Sequence, residues 1–354
     1  MRTAEYGFYK PEYRARIPAL LKYCSISNAL ERAILRDESA SGGKYTFDVN
    51  IIERQAINRT QRKLHGIGMT LSDYAAALSA FAKEDIPKLR SIASKANENV
   101  ANQKKGRKTT AEEFFIEKNS DGKPVYKPER EALHEKIIEK ALEGKLRKKN
   151  PKLLVIAGPP GSGKSSERER FIEDNDDAVF SDPDEIRHYL IKNYDPQDNA
   201  HVQLTYQESH DVADKIFRRA IELGYNIIFE GTLRYPDGHN NEYGDGLGPN
   251  KAIEECLKKE YEIQAAFVHA PLEECFRRAI VHRDRGVLLS VLLDSVTGFN
   301  NFLKLTKSMP EIKWWIRDNT EIGKTCSKQI EKEDEEEIQK IGAYYNKFVE
   351  TDPI

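Results

Sequence analysis

Residues 158–165 have the types and spacing of a loop that binds phosphate. They read G-x-x-x-x-G-K-S, after a short apolar run at residues 153–157 and before a stretch of helix-forming composition. Glycines let backbone N–H groups curl round phosphate oxygens, and the start of a helix adds partial positive charge. The Lys164 ammonium would then reach the β- and γ-phosphates, and the Ser165 hydroxyl would ligate Mg²⁺. The pattern predicts a P-loop rather than a chance glycine turn.

The loop and the residue after it form the predicted nucleotide-binding set. Its members are Gly158, Pro159, Pro160, Gly161, Ser162, Gly163, Lys164, Ser165 and Ser166.

The surrounding sequence favours a small-molecule kinase over other P-loop classes. GTPases read guanine with Asn-Lys-x-Asp, whereas Asn250-Lys251 is followed here by Ala-Ile. Motor-type ATPases end a strand in Asp-Glu, whereas the strand candidate at residues 226–229 leads into Glu230-Gly-Thr. Small-molecule kinases need a carboxylate that accepts the acceptor's proton and mobile arginines that neutralise the phosphoryl group. We therefore expect ATP and Mg²⁺ as cofactors.

Two carboxylates follow the second strand candidate, at residues 178–181. Asp182 and Asp184 would lie at the carboxyl edge of a parallel sheet, where ligands bind in such folds. Asp182 precedes Pro183, which favours extended backbone and an N-cap for the coming helix. We therefore predict Asp184 as the general base, with Asp182 on the substrate side of the site.

Further polar residues follow the third strand candidate. Glu230, Thr232 and Arg234 end that strand at the same edge, and the alternative interpretation is a plain strand-to-helix turn. Four arginines crowd one later segment, as lid arginines do in such kinases or as a solvated helix face does. They are Arg277, Arg278, Arg283 and Arg285.

The elements that must position these residues alternate between strand and helix. Further strand candidates lie at residues 263–268 and 314–316, and a helix with Pro128 in its first turn precedes the P-loop strand. Such alternation predicts an α/β fold, a P-loop kinase-like parallel sheet with helices on both faces. The acidic run at residues 331–337 is expected to start a last helix.

The first hundred residues have a different pattern. Apolar residues recur at helical spacing there, for example Leu71, Tyr74, Leu78 and Phe81, and Ser72 is a candidate N-cap. The polar, basic stretch from residue 102 has no periodicity and resembles a linker. We predict an all-α domain at residues 1–101, a linker at 102–111 and a kinase domain at 112–354.

Composition limits the classes of partner. The chain has 354 residues, of which 32% are charged, and a formal net charge of −2, which gives no electrostatic reason for a nucleic-acid partner. Four scattered cysteines are typical of reduced thiols. Neither a signal peptide nor an apolar run of ~18 residues occurs, which predicts no membrane association. We expect a cytoplasmic protein, in the producing cell or in a target cell.

Several of these segments together resemble the zeta toxin family of P-loop kinases. The similar segments are residues 126–134 (YKPEREALH), 158–165 (GPPGSGKS), 181–187 (SDPDEIR) and 224–234 (GYNIIFEGTLR). The resemblance covers residues 112–320, about three-fifths of the chain. A P-loop alone is unspecific, but these motifs in this order are far more specific.

The resemblance implies transfer of the ATP γ-phosphoryl group to a hydroxyl of a UDP-activated amino sugar, such as UDP-N-acetylglucosamine, or of another nucleotide-like acceptor. Lys164 and Ser165 match the family's ATP and Mg²⁺ residues, and Asp184 matches its general base. Asp214 falls near a further acid of the family. The remaining matches, on the substrate side, are Glu230, Thr232 and Arg234.

Two segments depart from the family pattern, and both would contact the acceptor. The family has two separated lid arginines, and we favour Arg283 and Arg285 here, with Arg277 and Arg278 in reserve. The loop at residues 235–250 is also longer. The alternatives are a non-toxic kinase of a small metabolite or antibiotic, and a nucleotide-gated interaction protein.

The helical domain carries no constellation of catalytic residues. Antitoxins of the family are helical bundles, so one hypothesis is that residues 1–101 restrain or escort the kinase in cis. Delivery or docking is the alternative hypothesis. A separate antitoxin or chaperone is a further candidate partner.

Overall fold

The computed structural model describes residues 19–26, 49–104, 106–196, 198–238, 240–241, 244–282, 286–320 and 327–349. The chain divides into two compact units. The helical unit comprises Met1–Asn102, Pro196–Asn199 and Glu273–Ser290, and the sheet unit comprises the remaining residues. The N-terminal division falls between Asn102 and Gln103, and Glu273–Ser290 groups with residues far from it in sequence.

Three helices from the first 104 residues form most of the described helical unit. A fourth helix joins them from the segment Glu273–Ser290. They are α1 (Val49–Gly66), α2 (Leu71–Ala82), α3 (Ile86–Lys104) and α11 (Leu272–Val281), whose first residue belongs to the sheet unit. The predicted apolar face of α2 is confirmed by the burial of Tyr74 and Phe81. Its N-cap is Thr70 rather than Ser72, because Thr70 and Asp73 form a reciprocal capping box.

The sheet unit is built on a six-stranded sheet in the order β10-β9-β8-β3-β5-β4. Its strands are β3 (Lys152–Ala157), β4 (Val179–Phe180), β5 (Ile227–Gly231), β8 (Glu262–His269), β9 (Lys313–Asp318) and β10 (Lys328–Ile330). The first five are parallel, and β10 is antiparallel to β9. The carboxyl ends of β3, β4 and β5 therefore lie at one edge.

Helices cover both faces of this sheet, as the sequence predicted. Helices that lie wholly or mostly in this unit are α4 (Thr110–Phe114), α5 (Pro128–Leu142), α6 (Lys164–Asp174), α7 (Pro183–Leu190), α8 (Asn199–Leu204), α9 (Tyr206–Leu223), α10 (Pro249–Leu257), α12 (Leu289–Asp294), α13 (Thr297–Ser308) and α14 (Glu335–Asn346). On β8, Ala266 and Val268 belong to the cluster packed by Phe171 of α6. Phe267 points the opposite way, against the rings of Phe299 and Tyr345.

The strands of the central sheet are buried because both of their faces are covered. Leu153 through Ala157 have no exposed surface, which is why this strand is a continuous apolar run rather than an alternating one. The predicted acidic start of the last helix is confirmed by α14, whose buried residues are Ile341 and Tyr345. The sequence did not indicate β10, whose residues are Lys-Gln-Ile and whose middle and first side chains are exposed.

Short antiparallel pairs complete the unit. β1 (Phe115–Lys118) and β2 (Pro124–Tyr126) pair across the predicted turn, and β6 (Asn240–Asn241) pairs with β7 (Gly244–Asp245). Within the described part of the chain, no helix is both long and apolar enough to cross a membrane. Cys24, Cys256 and Cys275 form no disulfide within the described residues, and Cys326 lies outside them.

Candidate active site

The P-loop connects β3 to α6 in the way the sequence predicted. Three of its glycines have positive φ: 145° at Gly158, 86° at Gly161 and 100° at Gly163. A side chain at Gly158 would also come within 2.4 Å of the Val268 carbonyl oxygen, so the turn requires glycine there. The buried Lys164 Nζ donates to the carbonyls of Gly158, at 2.9 Å, and Pro159, at 3.1 Å. The loop thus curls round the lysine ammonium.

Asn319 holds the loop from the adjacent strand edge. Its Nδ2 donates to the Ser162 carbonyl at 2.7 Å, and its backbone N–H donates to the His269 carbonyl at 2.8 Å. A Cβ at Gly163 would lie 2.1 Å from that Nδ2. Sequence reasoning missed Asn319, although its position directly after β9 placed it at the carboxyl edge of the sheet.

The loop has unused polar groups that fit a bound phosphate. Ser162 Oγ is buried and has no hydrogen-bond partner among the described residues. A buried hydroxyl without a partner is costly, and a phosphate oxygen would satisfy it. Ser165 and Ser166 are exposed at the start of α6, where a hydrated Mg²⁺ with a nucleotide could reach the hydroxyl of Ser165. These residues fit the nucleotide and metal that the sequence predicts.

A buried ion-pair network fixes α6 against the sheet. Glu167 accepts from Trp315 Nε1 at 2.8 Å, Arg317 Nε at 2.9 Å and Arg170 Nη1 at 2.8 Å. Burial would raise the pKa of Glu167, but these donors, Arg317 above all, outweigh burial and hold the pKa below its ordinary value. The helix that carries Lys164 is therefore anchored to β9 by a charged carboxylate.

Asp182 and Asp184 follow β4 and have different surroundings. The predicted cap is confirmed: Asp182 is the N-cap of α7, and its Oδ1 accepts from the Asp184 N–H at 2.9 Å. Asp184 pairs through Oδ1 with Nη1 of Arg187, and 30% of its side-chain surface stays exposed. The general-base role of Asp184 stays a prediction.

Glu230 lies one residue before the end of β5, next to an arginine of the P-loop helix. Arg168 Nη1 lies 2.8 Å from Glu230 Oε2, and its guanidinium carbon lies 4.0 Å from the centre of the Phe180 ring. This stacking orients the guanidinium between β4 and β5. The structure therefore brings a predicted substrate-side carboxylate against α6, through an arginine that sequence reasoning did not single out.

The chain turns sharply after Thr232. Leu233 has a φ of 52°, a strained value for a branched side chain, and its carbonyl accepts from Asn301 Nδ2 at 2.9 Å. Arg234 Nη2 then pairs with Asp294 Oδ2 at 2.8 Å, which ties the predicted substrate motif to α12. The segment after β5 therefore contacts both α12 and α13, and the substrate-side role of its polar residues stays a prediction.

Asp214 lies on α9, half-buried, and accepts from the Leu247 N–H at 2.7 Å. Burial raises the pKa of this carboxyl to about 7, and the nearby Asp211 adds to the rise. This hydrogen bond fixes the backbone at Leu247, which lies within the segment at residues 235–250 that the sequence predicts to differ from the family pattern.

The favoured lid residues Arg283 and Arg285 lie outside the described residues. The two reserve arginines are occupied within the helical unit. Arg277 is buried and pairs with Glu274 at 2.5 Å and with the Lys22 carbonyl, and Arg278 also pairs with Glu274 at 2.5 Å. In this arrangement neither guanidinium of the pair is presented as a mobile phosphate ligand.

The chain is similar in sequence to one protein family and to several known proteins. Residues 136–279 match the family model described as zeta toxin. The toxin zeta proteins of Streptococcus pyogenes and Enterococcus hirae are each 29% identical over 107 residues, which is 28% of this chain. The match spans 36% of the length of each of these relatives.

Two solved structures also align with much of the chain. One is from the PezAT chromosomal toxin–antitoxin system of Streptococcus pneumoniae, with a TM-score of 0.41 and 19% identity, covering 64% of this chain and 98% of that one. The other is the AvrRxo1-ORF1:-ORF2 complex with ATP, with a TM-score of 0.49 and 15% identity, covering 70% of this chain and 85% of that one.

Proposed function

Residues 136–279 carry a zeta toxin domain, and from this premise we propose that the chain is an ATP-dependent kinase with a hydroxyl group as acceptor. The acceptor is a UDP-activated amino sugar resembling UDP-N-acetylglucosamine, or another nucleotide-like molecule. Phosphorylation of such a molecule would be toxic to a cell that depends on it.

The observation that carries the proposal is the convergence of three strand ends. The P-loop follows β3, Asp184 follows β4 in the first turn of α7, and Glu230 lies in the last two residues of β5. The three strands are neighbours and parallel, so all three groups lie at one edge of the sheet. A phosphate cradle and two carboxylates at one edge are what phosphoryl transfer to a hydroxyl requires.

Each group has a role in the proposed reaction. Backbone N–H groups of the loop and Lys164 hold the phosphates of ATP and stabilise charge on the transferring group. Asp184 accepts the proton of the acceptor hydroxyl, and the oxygen of that hydroxyl forms a bond to the γ-phosphorus of ATP. The bond between the γ-phosphorus and the oxygen that bridges it to the β-phosphate breaks at the same time. ADP leaves, and the acceptor keeps the phosphoryl group. Glu230, Thr232 and Arg234 orient the acceptor.

We expect the nucleotide to bind together with a metal ion. Mg²⁺ bound by Ser165 and phosphate oxygens would supply positive charge to the transferring group. The unpartnered buried Ser162 hydroxyl supports the assignment of the loop to a phosphate ligand. Arg283 and Arg285 stay the favoured candidates for neutralising the same charge, whereas Arg277 and Arg278 are paired with Glu274.

The proposal extends to partners and location. A toxic kinase needs restraint in the cell that makes it, so an antitoxin or chaperone is the partner we propose, and restraint in cis by the helical unit is the alternative. The site of action is the cytoplasm of the producing cell or of a target cell, where nucleotide sugars are found.

Mass spectrometry of a nucleotide-sugar extract after incubation with the protein, ATP and Mg²⁺ tests the proposal. We expect one nucleotide-like species to gain a phosphoryl group, with ADP formed in equal amount. Lys164→Ala should form neither product. Binding of ATP without phosphorylation of any acceptor would contradict the proposal and favour a nucleotide-gated interaction protein.

Growth on expression separates a toxic kinase from a benign one. Expression of the whole chain should arrest growth, and Lys164→Ala should abolish the arrest at equal protein level. Phosphorylation of a metabolite or antibiotic without growth arrest would favour the non-toxic kinase.

A further inference from the structure

Arg187 is a buried arginine one helical turn beyond the proposed general base. Only 1% of its surface is exposed. It lies on α7, and its Nη1 donates to Asp184 Oδ1 across an i,i+3 spacing. The candidate base is thus held by a cation that solvent does not reach.

Helix α9 fixes the other side of this guanidinium. Ser209 Oγ accepts from Arg187 Nε at 3.2 Å, and the guanidinium carbon lies 5.7 Å from the centre of the Tyr206 ring. Ser209 Oγ in turn donates to the Tyr206 carbonyl at 2.8 Å. Both partners belong to one end of α9, so the guanidinium plane is set by a packed helix rather than by solvent.

Burial of an arginine destabilises the folded state unless its charge is paired. Removing a guanidinium from water carries a large desolvation cost, and ordinary i,i+3 pairs on helices stay at the surface. The two members of this ion pair differ in exposure, because 30% of the Asp184 side chain is exposed but only 2% of the Arg187 side chain. Arg187 is therefore the fixed member of the pair, and Asp184 is the member with access to a ligand.

We propose that Arg187 is the positioning residue for Asp184, holding the carboxylate ionised and in one orientation at the sheet edge. This inference rests on the proposed function. The role belongs to a residue that does not touch substrate, since its guanidinium is buried between α7 and α9. Asp182 has a different role, because its Oδ1 caps α7.

If Arg187 positions Asp184, variants at these two residues should have non-additive effects on kcat. Arg187→Met should lower kcat by about tenfold to hundredfold, a part of the ~10²–10⁴-fold that a general base supplies. The KM for ATP should stay close to that of the wild-type protein. In an Asp184→Asn background, Arg187→Met should lower kcat by less than about threefold further, because the group it orients is already disabled.

The acid limb of the pH profile of kcat/KM gives a second readout. Loss of the adjacent positive charge favours the protonated carboxyl, so Arg187→Met should move that limb to higher pH. Arg187→Lys should leave the limb near its wild-type position but recover kcat only in part, because lysine lacks the planar fork of arginine. Arg219→Met is the matched control, since Arg219 is an exposed arginine on α9 with only long ion pairs.

A milder variant keeps the test valid where Arg187→Met does not fold. Ser209→Ala removes the acceptor of Arg187 Nε and leaves every charge in place. Its loss of kcat should be smaller than that of Arg187→Met and should also vanish in the Asp184→Asn background. Independent, additive losses, or an acid limb that does not move, would overturn the role while leaving the proposed function standing. No phosphoryl transfer by the wild-type protein would overturn both.

Discussion

Two carboxylates two residues apart show how local surroundings separate their roles. The Asp182 side chain accepts a hydrogen bond from the first turn of α7, whereas Asp184 is paired with Arg187 and remains partly exposed. Asp184→Asn should lower single-turnover phosphorylation by ~10²–10⁴-fold, with ATP affinity almost unchanged because the glycine loop sets it.

Asp182→Ala is the companion variant. It should cost about 1 kcal/mol of folding free energy through the lost cap and retain most of the rate. Single-turnover rates and urea unfolding of both variants check this. If Asp182→Ala is the slow variant and Asp184→Asn keeps its rate, the two assignments are reversed.

Asp214 gives a prediction about pH. Its pKa rises to about 7 in the folded chain, so between its ordinary value and pH 7 the folded state binds the proton that the unfolded state has lost. The free energy of unfolding therefore falls as pH rises through this window. Asp214→Asn removes that loss and keeps an acceptor for the Leu247 N–H.

We expect the stability of Asp214→Asn relative to the wild-type protein to increase by about 1–2 kcal/mol from pH 5 to pH 8, after discounting for partial exposure. Urea unfolding at both pH values measures this. Glu129→Gln, which removes an exposed acid on α5, should give no such change. A relative stability of Asp214→Asn that is equal at the two pH values would show that burial does not perturb Asp214.

The role of a residue could be predicted from the sequence where neighbouring residues in the chain determine it. The cap at Asp182 follows from the adjacent Pro183, and the need for Gly158 follows from the loop motif. Asn319 could not be predicted in the same way, because its contact with Ser162 joins positions 157 residues apart. The spacing of Asp184 and Arg187 was visible, but the burial of Arg187 depends on packing by α9.

At the scale of elements, α11 is a structural member of the helical unit. The Phe276 ring is buried and lies 5.5 Å from that of Tyr74 and 6.0 Å from that of Phe81. The buried Lys63 Nζ also donates to the Ile280 carbonyl at 3.1 Å. The segment that precedes the favoured lid arginines is thus part of the core of the N-terminal helices.

Phe276→Ala should therefore destabilise the helical unit. The cavity and the lost ring contacts should cost about 3–5 kcal/mol in the free energy of unfolding. Ile51→Ala, at an exposed position of α1, is the control and should cost less than about 0.5 kcal/mol. Denaturant unfolding followed by circular dichroism measures both. A cost of Phe276→Ala no larger than that of the control would contradict the assignment of α11 to this core.

The elements themselves were mostly predictable. Short, mostly apolar segments of three to six residues indicated the parallel strands, and a period near 3.6 indicated the helices of the first hundred residues. The grouping of α11 with those helices was not predictable, because residues 63 and 280 meet only after folding. β10 was missed because an edge strand with two exposed polar residues has no apolar pattern.

At the scale of the whole molecule, the helical unit has a structural task besides any regulatory one. A chain shortened to begin at residue 111 would expose the face of α11 that carries Phe276. We expect its melting temperature to fall and its soluble yield to drop, since a large apolar surface loses its cover. Calorimetry against the whole chain checks this, and equal melting temperatures would contradict it.

The same shortened chain tests restraint in cis when growth arrest is scored per amount of soluble protein. Restraint predicts stronger arrest by the shortened chain. Equal or weaker arrest would remove that hypothesis and favour docking or delivery as the task of residues 1–101.

The edge of the sheet next to the P-loop is where we propose that a phosphoryl group is transferred to a small acceptor. The most direct test is transfer of label from γ-³²P-labelled ATP to a nucleotide-sugar fraction, by the wild-type protein and by Lys164→Ala. The wild-type protein should label one acceptor, and Lys164→Ala should fold normally and label none, because the charge that stabilises the transferring group is lost. Wild-type turnover by Lys164→Ala would contradict the account.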